Sequence, residues 1–120
     1  NSQRYVVQKS TAAALDFAAV MAVASRVYAP YEAQFPGLPS RMRDAAVAAW
    51  QWAQAHPQAV YVQPADIKTG GYDDKQLQDE FFWAATELYL TTGDAAYHEA
   101  MNAQFSAAEV PSWHGVAGLA

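Results

Sequence analysis

The chain has 120 residues, a net charge of −5 and no cysteine, which suits one domain or part of one and excludes disulfides, thiol chemistry and cysteine-ligated zinc. Hydrophobic residues make up 52% and aromatic residues 13% of the sequence, so a disordered chain is excluded as well. The seven basic residues are scattered singly, and without a basic patch neither nucleic acid nor an anionic membrane surface is expected as a partner.

The first predicted element is a helix over Thr11–Tyr28, with Ser10 or Thr11 as its N-cap. Three side chains interrupt its apolar surface: Asp16, Ser25 and Arg26. A helix that is apolar on every side is expected to be buried on every side. No run of 18 or more apolar residues without a charge occurs in the chain, so no segment is expected to span a bilayer.

The second predicted helix covers Ser40–His56 and is amphipathic, ending before Pro57. Its apolar stripe consists of Met42, Ala46, Ala49, Trp50 and Ala53. The third predicted helix, Asp79–Thr91, is again apolar nearly all round, and Gly93 suits a left-handed end.

The fourth predicted helix follows Asp94 as its cap and is amphipathic. Its apolar stripe consists of Tyr97, Met101 and Phe105. A fifth helix is predicted to begin at the N-cap Ser112.

The five predicted helices therefore alternate between all-apolar and amphipathic. Helical hairpins in two concentric layers produce this alternation, because inner helices touch protein on all sides and outer helices keep one face in water. The strand-like stretches, residues 5–7 and 59–63, are short. The pattern predicts an all-α fold, either an (α/α) toroid or an α-solenoid.

Four acids surround the start of the third helix: Asp73, Asp74, Asp79 and Glu80. Acids in the first turn of a helix are commonly structural, because they face its free N–H groups. A calcium site is a second interpretation, since a loop followed by two carboxylates supplies oxygen ligands. A catalytic pair is rejected for Asp79 and Glu80, because adjacent helical residues point about 100° apart around the axis.

Two aromatic residues stand at loop or helix-start positions, where a toroid has its mouth: Tyr72 and Trp113. Each either stacks on a sugar ring or closes a helix end, and the sequence favours neither use. The three histidines, His56, His98 and His114, lack the spacing of a zinc site.

Several stretches together resemble glycoside hydrolase family 9, the inverting cellulases. They are "KSTAAALDFAAVMAVASRVY", "AAVAAWQWAQAHP", "DEFFWAATELYLTTGDAAY" and "SWHGVAGLA". The resemblance covers nearly the whole chain in order. It implies that the chain is part of an (α/α)6 barrel, with the first, third and fifth helices inner and the others outer. It also implies a parent enzyme, secreted or periplasmic, that hydrolyses β-1,4-glucan or its oligosaccharides and requires no cofactor.

The resemblance also implies what the chain lacks. The family's catalytic base lies in an Asp-Ala-Gly-Asp motif and its acid in an Asn-Glu motif, and neither string occurs here. Residues 1–120 are therefore expected to be a middle part of the catalytic domain, cut at both ends, with no catalytic carboxylate and no activity of its own. Apolar flanks left uncovered in such a segment are expected to favour self-association.

Some family residues carry over to positions of this chain. The resemblance implies a structural calcium at Asp79 and Glu80, helped by backbone oxygens of Lys75 and Gln76. In the family a further acid of that site comes from a Trp-Asp-Asp string; this chain has Trp113-His114-Gly115 there, so the implied site lacks that ligand. Trp113 matches an aromatic residue of the substrate cleft, and Tyr72 falls in a loop that presents aromatics to it.

A non-enzymatic helical scaffold remains the alternative to an enzyme. Such a solenoid would bind a partner through an aromatic-lined surface. Motifs in the flanking coding sequence distinguish the two, because the enzyme needs both carboxylate motifs and the scaffold needs only further helical pairs.

Overall fold

The computed structural model describes residue 3, residues 6–68 and residues 76–105, without the side chain of Phe105. These residues form four α-helices and a short 3-10 turn: α1 Thr11–Tyr28, the turn Ala29–Tyr31, α2 Leu38–Ala55, α3 Gln78–Thr92 and α4 Ala95–Phe105. No strand occurs in this part of the chain, and residues 59–63 are irregular. The all-α prediction is confirmed, while the fifth predicted helix lies outside the described residues.

The helix ends follow from local chemistry. The Ser10 hydroxyl accepts a hydrogen bond from the backbone N–H of Ala13 (3.3 Å) and so caps α1. α3 ends at Gly93, whose left-handed backbone (φ 71°) places its N–H 2.8 Å from the carbonyl of Tyr89. The Asp94 carboxylate then accepts from the backbone N–H of Ala96 (3.0 Å) at the start of α4.

α2 begins two residues before the predicted start. Gly37 precedes it with φ 73°, and Leu38 and Pro39 form its first turn. Proline is compatible with this turn because its missing N–H would have no partner there. His56 is the C-terminal cap, and its backbone N–H binds the carbonyls of Trp52 and Ala53.

The helices pack as two hairpins, α1 with α2 and α3 with α4, and the hairpins meet through α1 and α3. α1 and α3 contribute five fully buried alanines to the core: Ala18, Ala19, Ala22, Ala84 and Ala85. Trp50 of α2 is 4% exposed and packs edge-to-face against Phe81 and Tyr97 of the second hairpin. Small side chains bring the central helices close together, and one large ring joins the outer helix to the neighbouring hairpin.

Arg26 connects the C-terminal ends of α1 and α3. Its guanidinium forms a salt bridge with the Glu87 carboxylate, and it donates to the Glu87 carbonyl (3.0 Å) and to the Thr91 hydroxyl (2.6 Å). The same hydroxyl lies 2.7 Å from the Glu87 carbonyl and 3.1 Å from the carbonyl of Ala22 in α1. We call these contacts the Arg26 clamp.

α1 and α3 are not buried on every side in this chain, and the uncovered apolar flanks expected of a barrel segment are present. One flank of α1 is exposed at Phe17, Val20 and Val27, and α3 is exposed at Trp83 and Leu90. Two hairpins cover only part of each central helix, which is the reason for the exposed flanks.

Thr11–Tyr31 also has the length and hydropathy (1.4) of a membrane-crossing segment. The sequence-based expectation required a stretch free of charge, whereas this segment contains Asp16 and Arg26. Core helices share this length and composition, and α1 packs on α2 and α3 as a core helix does.

Candidate functional site

The candidate site lies at the end of the hairpins where α1 and α3 begin. Thr11, fully buried, anchors this end. Its backbone N–H donates to the carbonyl of Ala59 (2.9 Å), and its hydroxyl donates to the carbonyl of His56 and accepts from the N–H of Ala59 (3.0 Å). The loop that follows α2 is therefore fixed against the start of α1.

Asp79 and Glu80 occupy the first turn of α3, as the sequence indicated. Leu77 is the N-cap of this helix and offers no side-chain hydrogen bond to it. The two carboxylates therefore supply negative charge at a helix start that lacks a polar cap. Asp79 is exposed and Glu80 is partly buried, which fits their divergence around the helix axis.

Asp16 on α1 is an electrostatic neighbour of Asp79 that the sequence analysis did not find. Asp16 is an exposed residue, but neighbouring side chains remove part of its carboxyl from water, which raises the pKa of that carboxyl, and the negative charge of Asp79 raises the pKa further. The two residues are 63 positions apart, and only the packing of α1 on α3 brings them together. In the sequence, the signal for this contact was the position of Asp16 as the one acidic residue of the mostly apolar α1.

A groove of about 440 Å³ opens beside this end, between the loop after α2 and the start of α3. It is lined by Pro57, Gln58, Val60, Leu77, Gln78, Phe81 and Gln104. An adjoining groove of about 240 Å³ reaches Trp50 and Gln54 of α2. Amide and apolar side chains line both grooves, so neither groove holds the carboxylates that acid–base hydrolysis needs.

The predicted substrate residues Tyr72 and Trp113 lie outside the described residues, as do Lys75 and His114. Among the described residues no group of three or more His, Asp or Glu side chains is placed to hold a metal ion. The described part of the candidate calcium site is thus limited to the two carboxylates at the start of α3 and the backbone of Gln76.

The two described histidines have local partners. His56 stacks on Trp52 (ring centroids 4.4 Å apart, 15° between planes), and its Nδ1 lies 2.9 Å from the Trp52 carbonyl. His98 is exposed and lies against Tyr89, with ring centroids 5.2 Å apart. Neither histidine faces a described carboxylate in these contacts, which gives no support for a catalytic role.

Comparison with known proteins identifies the family. The sequence model of Glycosyl hydrolase family 9 matches residues 1–120. This chain belongs to glycosyl hydrolase family 9. It is 54% identical over 105 residues to a xyloglucan-specific endo-β-1,4-glucanase of Bacteroides ovatus, covering 81% of this chain and 18% of that protein. It is 39% identical over 123 residues to endoglucanase C of Cellulomonas fimi, covering 97% of this chain and 11% of that protein.

Solved structures agree with the fold. A Bacteroides ovatus family 9 structure superposes with a TM-score of 0.80 and 51% identity over 87% of this chain and 20% of the other. A thermostable endoglucanase of Alicyclobacillus acidocaldarius superposes with a TM-score of 0.76 and 36% identity over 87% of this chain and 19% of the other. These relatives are (α/α)6 barrels, so the hairpins form part of such a barrel. The chain spans 11% to 20% of the length of these four relatives.

Proposed function

We propose that this chain is a central segment of a glycoside hydrolase that cleaves β-1,4-glucan with inversion of configuration. The observation that carries the proposal is the family match over all 120 residues, supported by relatives named as endo-β-1,4-glucanases and endoglucanases. Inverting hydrolysis places an acid on one side of the scissile bond and a base with its water on the other, with about 6.5–9.5 Å between the two carboxyl groups.

The role of this segment is to build the barrel wall and part of the cleft. Asp79 and Glu80 cannot form the acid–base pair, because neighbouring positions on a helix diverge by about 100°. Asp16 and Asp79 are carboxylates near the starts of α1 and α3. In the described part of the chain, no second carboxylate faces either of them across a groove, as an acid–base pair requires. The catalytic carboxylates are therefore assigned to the longer protein.

The test uses the longer protein. Incubation with cellotetraose or xyloglucan is expected to release shorter sugars, and NMR of the first products should show the α-anomer that a single displacement gives. Initial release of the β-anomer, or no cleavage of any β-1,4-glucan, would contradict the proposal. The 120-residue chain alone should release nothing. Its turnover, abolished by a substitution within the segment, would place the chemistry here.

The family match does not favour the non-enzymatic scaffold, because the exposed flanks of α1 and α3 are also what a barrel segment without its neighbouring hairpins would show. An upstream Asp-Ala-Gly-Asp and a downstream Asn-Glu in the coding sequence would exclude it. In the isolated segment those flanks should drive self-association, which light scattering measures as a mass above 13.1 kDa.

We further propose a structural calcium at the start of α3, held by Asp79, Glu80 and the backbone before them. The support is that two carboxylates lie in the first turn of α3 and that the N-cap of this helix, Leu77, has no polar side chain. Calorimetry should detect calcium binding to the longer protein, and Glu80→Gln should weaken it. That substitution keeps the side-chain shape, so the fold should be retained. If neither protein gives binding heat, the calcium proposal is refuted, whereas the role of the two acids at the helix start is not affected.

Substrate contact is proposed for Trp113, which matches an aromatic residue of the family's cleft, and for Tyr72, in a stretch where family members present aromatics to that cleft. Aromatic side chains with a polar tip suit a sugar ring, whose faces carry C–H bonds and whose rim carries hydroxyls. The parent is proposed to be secreted or periplasmic, where a polysaccharide is accessible.

A further inference from the structure

Three aromatic residues form a cluster at the opposite end of the first hairpin, in and beside the turn between α1 and α2. The ring of Tyr28 packs edge-to-face against Tyr31 (centroids 6.4 Å apart) and against Phe35 (5.7 Å). Tyr31 is 50% exposed and Phe35 47% exposed. We call these three residues the aromatic platform, in which Tyr28 supports two rings that are about half exposed in this segment.

The backbone holds these rings in place. The N–H groups of Gln34 and Phe35 both donate to the Tyr31 carbonyl (3.0 and 2.9 Å), and Leu38 donates to the Phe35 carbonyl (3.0 Å). The Glu32 carboxylate accepts from the N–H of Gly37 (2.7 Å). A turn closed by this many hydrogen bonds loses little conformational freedom when a ligand binds.

The charge around the aromatic platform limits its ligand. Glu32 is the only charged side chain among residues 28–38, and its carboxylate is already hydrogen-bonded within the turn. Without a Lys or Arg the turn offers nothing to a phosphate, a nucleic acid or an anionic lipid. A neutral ligand with apolar faces and hydrogen-bonding edges suits exposed rings of this kind.

The aromatic platform is separate from the candidate site. It lies at the C-terminal end of α1, whereas the candidate site lies at the start of that helix. α1 has 18 residues, so the two regions are about 27 Å apart along its axis at about 1.5 Å per residue.

We propose that the aromatic platform binds a β-1,4-glucan chain outside the cleft, with Tyr31 and Phe35 stacking on sugar rings. This inference rests on the proposed function for its choice of ligand. The second site would hold the enzyme on a polymer without contributing to bond cleavage, so it would affect binding to long chains and not the turnover of short ones.

The test compares two double variants of the full-length enzyme. Tyr31→Ala with Phe35→Ala removes both rings, and Tyr31→Phe with Phe35→Tyr keeps both rings and exchanges the hydroxyl. Affinity electrophoresis in gels containing xyloglucan or hydroxyethylcellulose measures polymer binding. The alanine variant should bind about two- to tenfold more weakly than the ring-keeping variant, the scale of aromatic contacts. Its kcat/KM on soluble cellotetraose should be unchanged.

Three outcomes would overturn the inference. Equal retention of both variants would show that the rings do not touch the polymer. A joint loss of Tm, activity and retention in the alanine variant alone would show that the rings pack against another part of the protein. A change in oligomeric mass without a change in retention would assign them to a protein interface. Failure of the unsubstituted enzyme to cleave any β-1,4-glucan would refute the proposed function separately, because gel retention is measured without turnover.

Discussion

Replacing Arg26 with methionine tests whether the Arg26 clamp joins the two hairpins. The substitution keeps most of the aliphatic stem and removes the charge, leaving the Glu87 carboxylate and the Thr91 hydroxyl without their shared donor. The side chains of Arg26 and Glu87 are 34% and 18% exposed, so the pair lies between two measured classes. Exposed pairs contribute about 0.2–1 kcal/mol, and breaking a buried pair costs about 3–5 kcal/mol.

We expect Arg26→Met to lower the free energy of unfolding by about 2 kcal/mol, between those limits. Urea denaturation followed by tryptophan fluorescence measures it. A double-mutant cycle with Glu87→Gln isolates the pairwise energy from other effects of the substitution.

The matched control is Arg43→Met on the outer face of α2. Arg43 lies 3.7 Å from Asp44, and the two side chains are 51% and 71% exposed. This substitution should cost less than about 0.5 kcal/mol, because exposed pairs are screened by water. If Arg26→Met costs no more than Arg43→Met, or if the cycle gives no coupling with Glu87, the clamp does not hold the hairpins together.

Three further substitutions test the core, the acids and the cleft. Trp50→Ala should destabilise the protein by about 3–5 kcal/mol, because the ring is buried between the two hairpins. Trp52 is partly exposed, so Trp52→Ala should cost clearly less in the same denaturation assay. Equal costs for the two substitutions would refute the packing argument. The raised pKa of Asp16 means that its ionised form is disfavoured in the folded state, so its contribution to stability worsens as the pH rises from the ordinary value of 3.8 through the raised pKa. Asp16→Asn should therefore raise Tm at pH 7 and lose that advantage on acidification, and a Tm gain that is the same at every pH would contradict this. Trp113→Ala in the full-length enzyme should weaken cello-oligosaccharide binding by about 1–2 kcal/mol, and unchanged affinity and turnover would remove this residue from the cleft.

Local signals predicted the helices well, because caps and breakers act over a few residues. The start of α1, the left-handed end of α3 at Gly93 and the cap at Asp94 all follow from the residue types next to the helix ends. The early start of α2 was missed because Pro39 reads as a breaker, although the first turn of a helix accepts proline. Residues 59–63 have strand-like composition but no neighbouring strand to pair with in the described fold, so they stay irregular.

Contacts between distant residues could not be read from the pattern. The partners of Arg26 lie 61 and 65 positions away, and Asp79 is similarly far from Asp16. Periodicity shows which face of a helix is apolar, but the residues that this face meets on another helix are decided by packing. The alternation of all-apolar and amphipathic helices already separated inner from outer helices, and the resemblance to a family supplied the barrel, which the pattern left open between a toroid and a solenoid.

The five buried alanines of α1 and α3 determine how the segment can move. Alanine has no side-chain rotamers, so the alanines cannot change conformation to accommodate a shift of α1 relative to α3. The Arg26 clamp also connects α1 and α3, so we expect these two helices to move as one rigid body. Movement in this part of the chain would then be confined to the connections beside the two helices, such as residues 56–68.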